Sequence, residues 1–304
     1  VTDVDRQTQL AREHRERQEE RAKQPPSGRR NVIIGAGLGV VLVAGGIVAA
    51  TTLLGGGGDD PGNRAAADPS ASGAASAPAV DPGASAAPAD PAKITCSYRK
   101  DDSGLPAKKV GMPPTKPDLK AKFMTIDTNQ GKIVIELATA AAPCTVNSFE
   151  FLAKKNYFDG TRCHRLATVE TTGLGMLQCG DPLAKADGKT ADDGTGGPGY
   201  LFEDENLGGM PYTRGTVAMA QGGDDANSNG SQFWISFSDE NTQLTAAGAA
   251  YTPFGVVKEG MDVVDKIAKG GIIPFNGDPM ADVRGEGSNA PKLPVIIKDV
   301  TITK

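Results

Sequence analysis

The chain has 304 residues, a formal net charge of −5 and only two histidines, His14 and His164. The acidic balance disfavours nucleic acid as a partner, because phosphate binding needs a basic face. A lone histidine in the C-terminal half argues against a His-rich metal site or a Ser-His-Asp triad there, so no metal or cofactor is expected.

Residues 1–30 alternate acid and base at helical spacing, from Arg12 and Glu13 through Arg21 and Lys23. They read as a charged, solvated helix that stops at Pro25-Pro26, on the cytoplasmic side of a membrane. Residues 31–54 carry no charge from Val32 to Leu54. At ~1.5 Å per residue such a run spans ~34 Å, slightly more than a bilayer core of ~30 Å, and it is predicted as a transmembrane helix. Arg29-Arg30 precede it and Asp59-Asp60 follow, which places the N-terminus in the cytoplasm and everything after the helix outside. The expected location is therefore the cell membrane, crossed once. A cleaved signal peptide is the competing reading; the run exceeds the usual apolar core of ~7–15 residues. Gly35, Gly37 and Gly39 imitate a dinucleotide loop but lack a preceding strand. Gly35 and Gly39 do have a spacing that lets membrane helices approach closely. Residues 55–92 are Gly, Ala, Ser, Pro and Asp with almost no large apolar side chains, and read as a disordered tether.

A folded domain is predicted over 93–304. Phe123–Thr128 and Lys132–Leu137 flank Asn129-Gln130-Gly131, a hairpin pattern. Thr216–Ala220, Gln232–Ser236 and Val295–Ile302 are further strands. One helix starts at Pro143 and puts Val146, Phe149, Leu152 and Ala153 on one stripe. Another runs over Met261–Lys269, with Val264, Ile267 and Ala268 on one face and Gly270-Gly271 as a stop. Many short strands with two helices point to a mainly β architecture, an antiparallel barrel closed or nearly closed and capped by helices. Periodicity alone leaves its closure open.

Tyr157–Arg165 (YFDGTRCHR) and Leu177–Asp181 (LQCGD) resemble the cyclophilin stretch that pairs a His-Arg strand with a Gln-x-Gly-Asp strand. Gly194–Gly197, Phe202–Asn206, Gly215–Ala220, Asn227–Ile235, Phe254-Gly255 and Lys258–Met261 resemble the later blocks of that family, in order. The likeness covers roughly residues 122–304. It implies an eight-stranded antiparallel barrel with a helix over each end, and a peptidyl-prolyl cis-trans isomerase acting on proline-containing polypeptides. The X-Pro amide rotates over a barrier of ~18–20 kcal/mol, and no bond need be made or broken. A donor aimed at the amide nitrogen, which regains its lone pair when the amide twists, stabilises the transition state over the planar ground state.

The resemblance assigns that donor to Arg165, whose guanidinium is a permanently charged fork. It gives Gln178 to the substrate backbone, Met176, Trp234 and Leu244 to the walls of a proline pocket, and Tyr251 to its rim. Ala220, Gln221 and Gln232 fall in the neighbouring peptide groove. His164 takes a packing position, since isomerisation needs no proton transfer. The chain departs from the family at Gly175, where an aromatic floor residue is usual, and at Gln243, where Trp is common; tight binding of cyclosporin-like ligands is therefore in doubt. The larger Trp234 is expected to fill the space vacated at Gly175. The acidic stretch 222–226 and the Gly/Pro-rich segment 272–293 are longer than usual and bear on substrate choice. On the family hairpin, Cys163 and Cys179 face each other and form a disulfide, which leaves Cys96 to pair with Cys144; four free buried thiols are the alternative.

The expected function is isomerisation in the folding of exported or envelope proteins. A peptide-binding scaffold with little turnover is the alternative, favoured by Gly175 and Gln243 and opposed by Arg165 and Gln178. A hydrolase lacks a credible nucleophile–base pair.

Overall fold

The structure is a computed structural model that describes residues 93–222 and 226–304. The charged segment 1–30, the expected membrane helix 31–54 and the tether 55–92 lie outside the described residues, as do residues 223–225 of the acidic stretch. Among the described residues no helix is long and apolar enough to cross a membrane.

A short strand, β1 (Tyr98–Lys100), precedes the hairpin predicted from sequence. That hairpin forms as β2 (Phe123–Thr128) and β3 (Lys132–Leu137), with Met124, Ile126, Ile133 and Ile135 pointing into the core at period two. Gly131 closes the turn at φ +141°, and a Cβ there would lie 2.7 Å from a Val263 methyl. Helix α1 (Pro143–Lys154) opens on its proline as expected, and buries Val146, Phe149 and Leu152. Phe149 sits among Phe158, Phe233 and Phe254, with ring centroids 5.6, 5.6 and 4.7 Å away.

Next come β4 (Arg165–Ala167), the single turn α2 (Val169–Thr172), β5 (Met176–Cys179), β6 (Tyr200–Phe202), β7 (Thr216–Gln221) and β8 (Asn229–Ser236). The chain finishes with α3 (Thr242–Ala246), β9 (Pro253–Glu259), α4 (Met261–Lys269), the small pair β10 (Ile272–Ile273) and β11 (Ala290–Pro291), and β12 (Ile297–Thr303). Antiparallel pairing runs β12–β2–β3–β9–β7–β8–β5–β4. The circuit closes where the residues before β4 meet the start of β12 and the residues leading into it. Arg162 pairs with Ile296, the Gly160 and Cys163 amides donate to the Ile297 and Val295 carbonyls, and the Ile297 amide donates to Thr161. The eight-stranded barrel expected from the resemblance is thus present. β6 leaves the barrel at the Phe202–Asn229 pair and carries β1 outside it.

The cysteines pair as Cys96–Cys144 and Cys163–Cys179. The first disulfide fastens the segment before the barrel to α1, the second ties β5 to the residues entering β4.

The N-terminus of α1 has no local side-chain cap, because Ala142 stands at the N-cap position. Glu205, sixty residues away, fills the role: its carboxylate accepts from the Cys144 and Thr145 amides at 3.0 and 2.7 Å and from the Thr145 hydroxyl at 2.8 Å. Orphan amides and the helix dipole both favour an anion there. Glu205→Ala is expected to lower stability by ~1–2 kcal/mol, read as a lower urea midpoint at unchanged m-value.

Candidate active site

The barrel strands sort their side chains by parity. Leu166, Leu177, Val217, Met219, Phe233 and Ile235 enter the interior core. The alternate residues of the same strands face outward. Register places Arg165 of β4 opposite Gln178 of β5, Gln178 opposite Trp234 of β8, and Trp234 opposite Ala218 of β7. Directly opposed residues share a face, so these four form one row across four strands. A second row beside it holds Ala167, Met176 and Ser236.

The outward face does not meet solvent. Met176, Trp234, Leu244, Tyr251, Ala220, Ala218, Ala167, Leu174 and Tyr212 form a second apolar cluster, separate from the barrel core. α3 delivers Leu244, and the approach to β9 delivers Tyr251. Trp234 lies 5.5 Å from the Tyr212 ring and 5.9 Å from Tyr251, and its indole N–H donates to the Met219 carbonyl at 3.1 Å. The expected pocket walls are therefore brought together and pack on one another: Trp234 is 0% and Tyr251 9% exposed.

A polar line runs along the edge of the cluster. Arg165 Nη1 donates to Gln178 Oε1 at 3.3 Å. Gln178 Nε2 donates to Gln232 Oε1 at 3.0 Å, and Gln232 Nε2 donates to the Gly194 and Gly196 carbonyls at 2.7 and 2.9 Å. The Gly194 and Gly196 amides donate in turn to Asp181. Arg165, Gln178 and Gln232 are thus one hydrogen-bonded set beside the apolar cluster. Gln221 faces elsewhere: its amide donates to Asp204 at 3.1 Å and to the Ala250 carbonyl at 2.9 Å. Burial holds the Asp204 carboxyl above its ordinary range, opposed by hydrogen bonds from Asn227, Gln221 and Asn229.

Trp234 does not take the place expected of it. It lies on the Met176 side but does not fill the space at Gly175. A Cβ on Gly175 would lie 2.5 Å from Ser238 Cβ and 2.9 Å from the Phe237 ring, so the two residues after β8 occupy that room. The Phe237 amide donates to the Gly175 carbonyl at 2.9 Å, which brings the ring across. Gln243, in place of the family Trp, donates to the Gly173 carbonyl at 2.6 Å.

His164 is fully buried, and among the described residues neither ring nitrogen has a hydrogen-bond partner. Burial pushes its pKa down to about 4, with Asp181 opposing the shift and Arg165 adding to it. The ring is therefore neutral at pH 7, in keeping with packing rather than proton transfer. Its contribution to stability is complete above the unfolded value near 6.5 and is lost as pH falls toward 4, because only the unfolded chain takes up the proton in that window. The loss is expected to reach roughly 3 kcal/mol. His164→Leu should flatten that stretch of the stability–pH curve, measured by denaturant titration at half-unit steps.

One residue at the site was not singled out from sequence. Asp282, in the 272–293 segment, takes both of its carboxylate oxygens to Arg165 Nε, at 2.8 and 3.0 Å. The two side chains are 3% and 0% exposed. In the sequence Asp282 is indistinguishable from Asp278 and Glu286 beside it.

Residues 123–302 match the family model described as cyclophilin type peptidyl-prolyl cis-trans isomerase/CLD. The chain belongs to the cyclophilin family. Among curated relatives, the probable peptidyl-prolyl cis-trans isomerase B of Mycobacterium leprae is 40% identical over 202 residues, covering 61% of this chain and 62% of that protein. The Mycobacterium tuberculosis H37Rv protein of the same name is 40% identical over 194 residues, covering 58% of this chain and 57% of that protein. The chain thus spans about three-fifths of the length of these relatives. A crystal structure of a Cryptosporidium parvum cyclophilin, determined in the presence of the dipeptide Ala-Pro, is 26% identical with a TM-score of 0.47, covering 60% of this chain and 99% of that one. Within the cyclophilin domain, the matched span contains every expected site residue from Arg165 to Tyr251.

Proposed function

We propose that this cyclophilin is a peptidyl-prolyl cis-trans isomerase that assists the folding of exported or envelope proteins, held at the membrane through residues 31–54. The observation that carries the catalytic reading is the Arg165–Gln178 pair at the edge of the Met176–Trp234–Leu244–Tyr251 cluster. The prolyl ring enters the apolar cluster. Gln178 holds the peptide backbone. Arg165 directs an N–H at the amide nitrogen as the bond twists, which favours the twisted form over the planar one. Each ~1.36 kcal/mol of that preference gives about a tenfold acceleration.

The extracytoplasmic assignment is supported by the charge asymmetry around residues 31–54 and by two disulfides in the barrel domain, a bonding state typical of oxidising compartments. A binding-only scaffold remains the second reading, and the mutual packing of Met176, Trp234 and Tyr251 favours it. A protease-coupled assay on a short X-Pro peptide separates the two. An isomerase speeds the slow phase in proportion to enzyme, whereas a scaffold retards cleavage without changing that phase. Protease added to intact cells should remove the barrel domain; survival of that domain until lysis contradicts the proposed location.

A further inference from the structure

The 272–293 segment does more than lengthen the chain between α4 and β12. Asn289 stitches it together: its side chain accepts from the Phe275 amide and donates to the Pro279 carbonyl, both at 2.9 Å. The Asn289 main-chain carbonyl accepts from the Leu166 amide at 2.8 Å, so the segment is tied to the residue next to Arg165. Asp282 emerges from this stitched segment, fully buried, and places both carboxylate oxygens on Arg165 Nε. Gln178 meets the guanidinium at Nη1, and among the described residues no group accepts from Nη2. The fork is therefore gripped at two of its three nitrogens and has donor capacity to spare. A long, flexible side chain gains most from such a grip, because catalysis depends on a donor already aimed before the amide twists.

We infer that Asp282 is a positioning residue for the isomerase reaction, holding Arg165 in its donating orientation from the segment between α4 and β12. The inference rests on Arg165 being the donor. Its buried carboxylate is a fixed anchor, unlike the exposed pairs that Arg284 makes with Asp278 and Glu286 on the same segment. Asp282 acts through Arg165 and makes no contact with substrate.

The test is a set of steady-state isomerase measurements on the whole chain: wild type, Asp282→Asn, Arg165→Ala, the double variant, and Arg284→Ala. Asp282→Asn keeps the shape of the side chain and is expected to lower kcat about tenfold while KM stays within about twofold, the pattern of an interaction realised only in the transition state. On the Arg165→Ala background the same change should cost nothing further, because a residue that acts through another has no separate effect. Arg284→Ala should leave activity unchanged. A wild-type kcat for Asp282→Asn, an increase in it, an equal further loss on the Arg165→Ala background, or a matching loss in Arg284→Ala each overturns the positioning role and leaves the isomerase reading intact. Arg165→Ala with wild-type activity overturns that reading itself. Should Asp282→Asn fail to fold, Asp282→Glu keeps the charge and displaces it; a wild-type kcat there also overturns the inference.

Discussion

Arg165→Ala is expected to reduce kcat/KM for an X-Pro peptide by about 10²- to 10³-fold, the usual cost of deleting one preorganised donor from a water-excluded site. The loss should fall on kcat, because the Met176–Trp234–Leu244–Tyr251 cluster, the proposed seat of the prolyl ring, does not contain Arg165. The same substitution strips a buried carboxylate of its partner. Asp282 is 0% exposed, and leaving it unpaired is expected to cost roughly 3–5 kcal/mol of stability. Activity must therefore be measured where circular dichroism shows the variant folded. Arg165→Lys keeps a positive charge but loses the planar fork that meets Asp282 and Gln178 together, so it should rescue stability better than rate.

Cys96→Ser with Cys144→Ser should produce the second large effect, on stability rather than turnover. Their disulfide joins residues 48 positions apart. Closing a loop of that length removes enough freedom from the unfolded chain to be worth ~4 kcal/mol in the chain-entropy picture. Native contacts at the same place soften the loss: the Tyr98 hydroxyl donates to the Cys144 carbonyl at 2.8 Å, and the Asn147 side chain reaches Tyr98 and the Pro114 carbonyl. A drop of about 2–4 kcal/mol in unfolding free energy is the expected outcome by guanidinium titration. Turnover should persist, since this disulfide joins the leading segment to α1 rather than to β4, β5 or β8. An unchanged midpoint would mean the segment before the barrel is held by its hydrogen bonds alone.

The elements that sequence reveals and conceals differ in physical kind. β2, β3 and α1 were legible because period-two alternation, a three-residue turn and an N-terminal proline are local signals. Barrel closure was not, because β4 and β5 are only three and four residues long and the closing contact joins Arg162 to Ile296 across the chain. Arg165 and Gln178 came through resemblance; alone, an Arg before a Leu on a short strand carries no signal. Glu205 and Asp282 act on partners 60 and 117 residues away, and acidic residues in loops look alike until the fold buries some of them. The Gly175 expectation failed for a related reason. Which side chain enters a vacated space depends on where the chain turns after β8, and Phe237 lies beyond the last residue that strand periodicity constrains.

The proposed catalysis needs a donor at Arg165 beside an apolar slot that opens to a prolyl ring. Two-dimensional exchange spectroscopy on an Ala-Pro-containing peptide with substoichiometric protein tests it most directly, while the Trp234 indole N–H reports on the slot. Cis–trans exchange peaks that grow with protein, together with a shifted indole resonance, are predicted for wild type; Arg165→Ala should keep the indole shift and lose the exchange. A wild-type protein that shifts the indole signal without exchanging the peptide, or exchanges it equally well without Arg165, contradicts Arg165 as the donor.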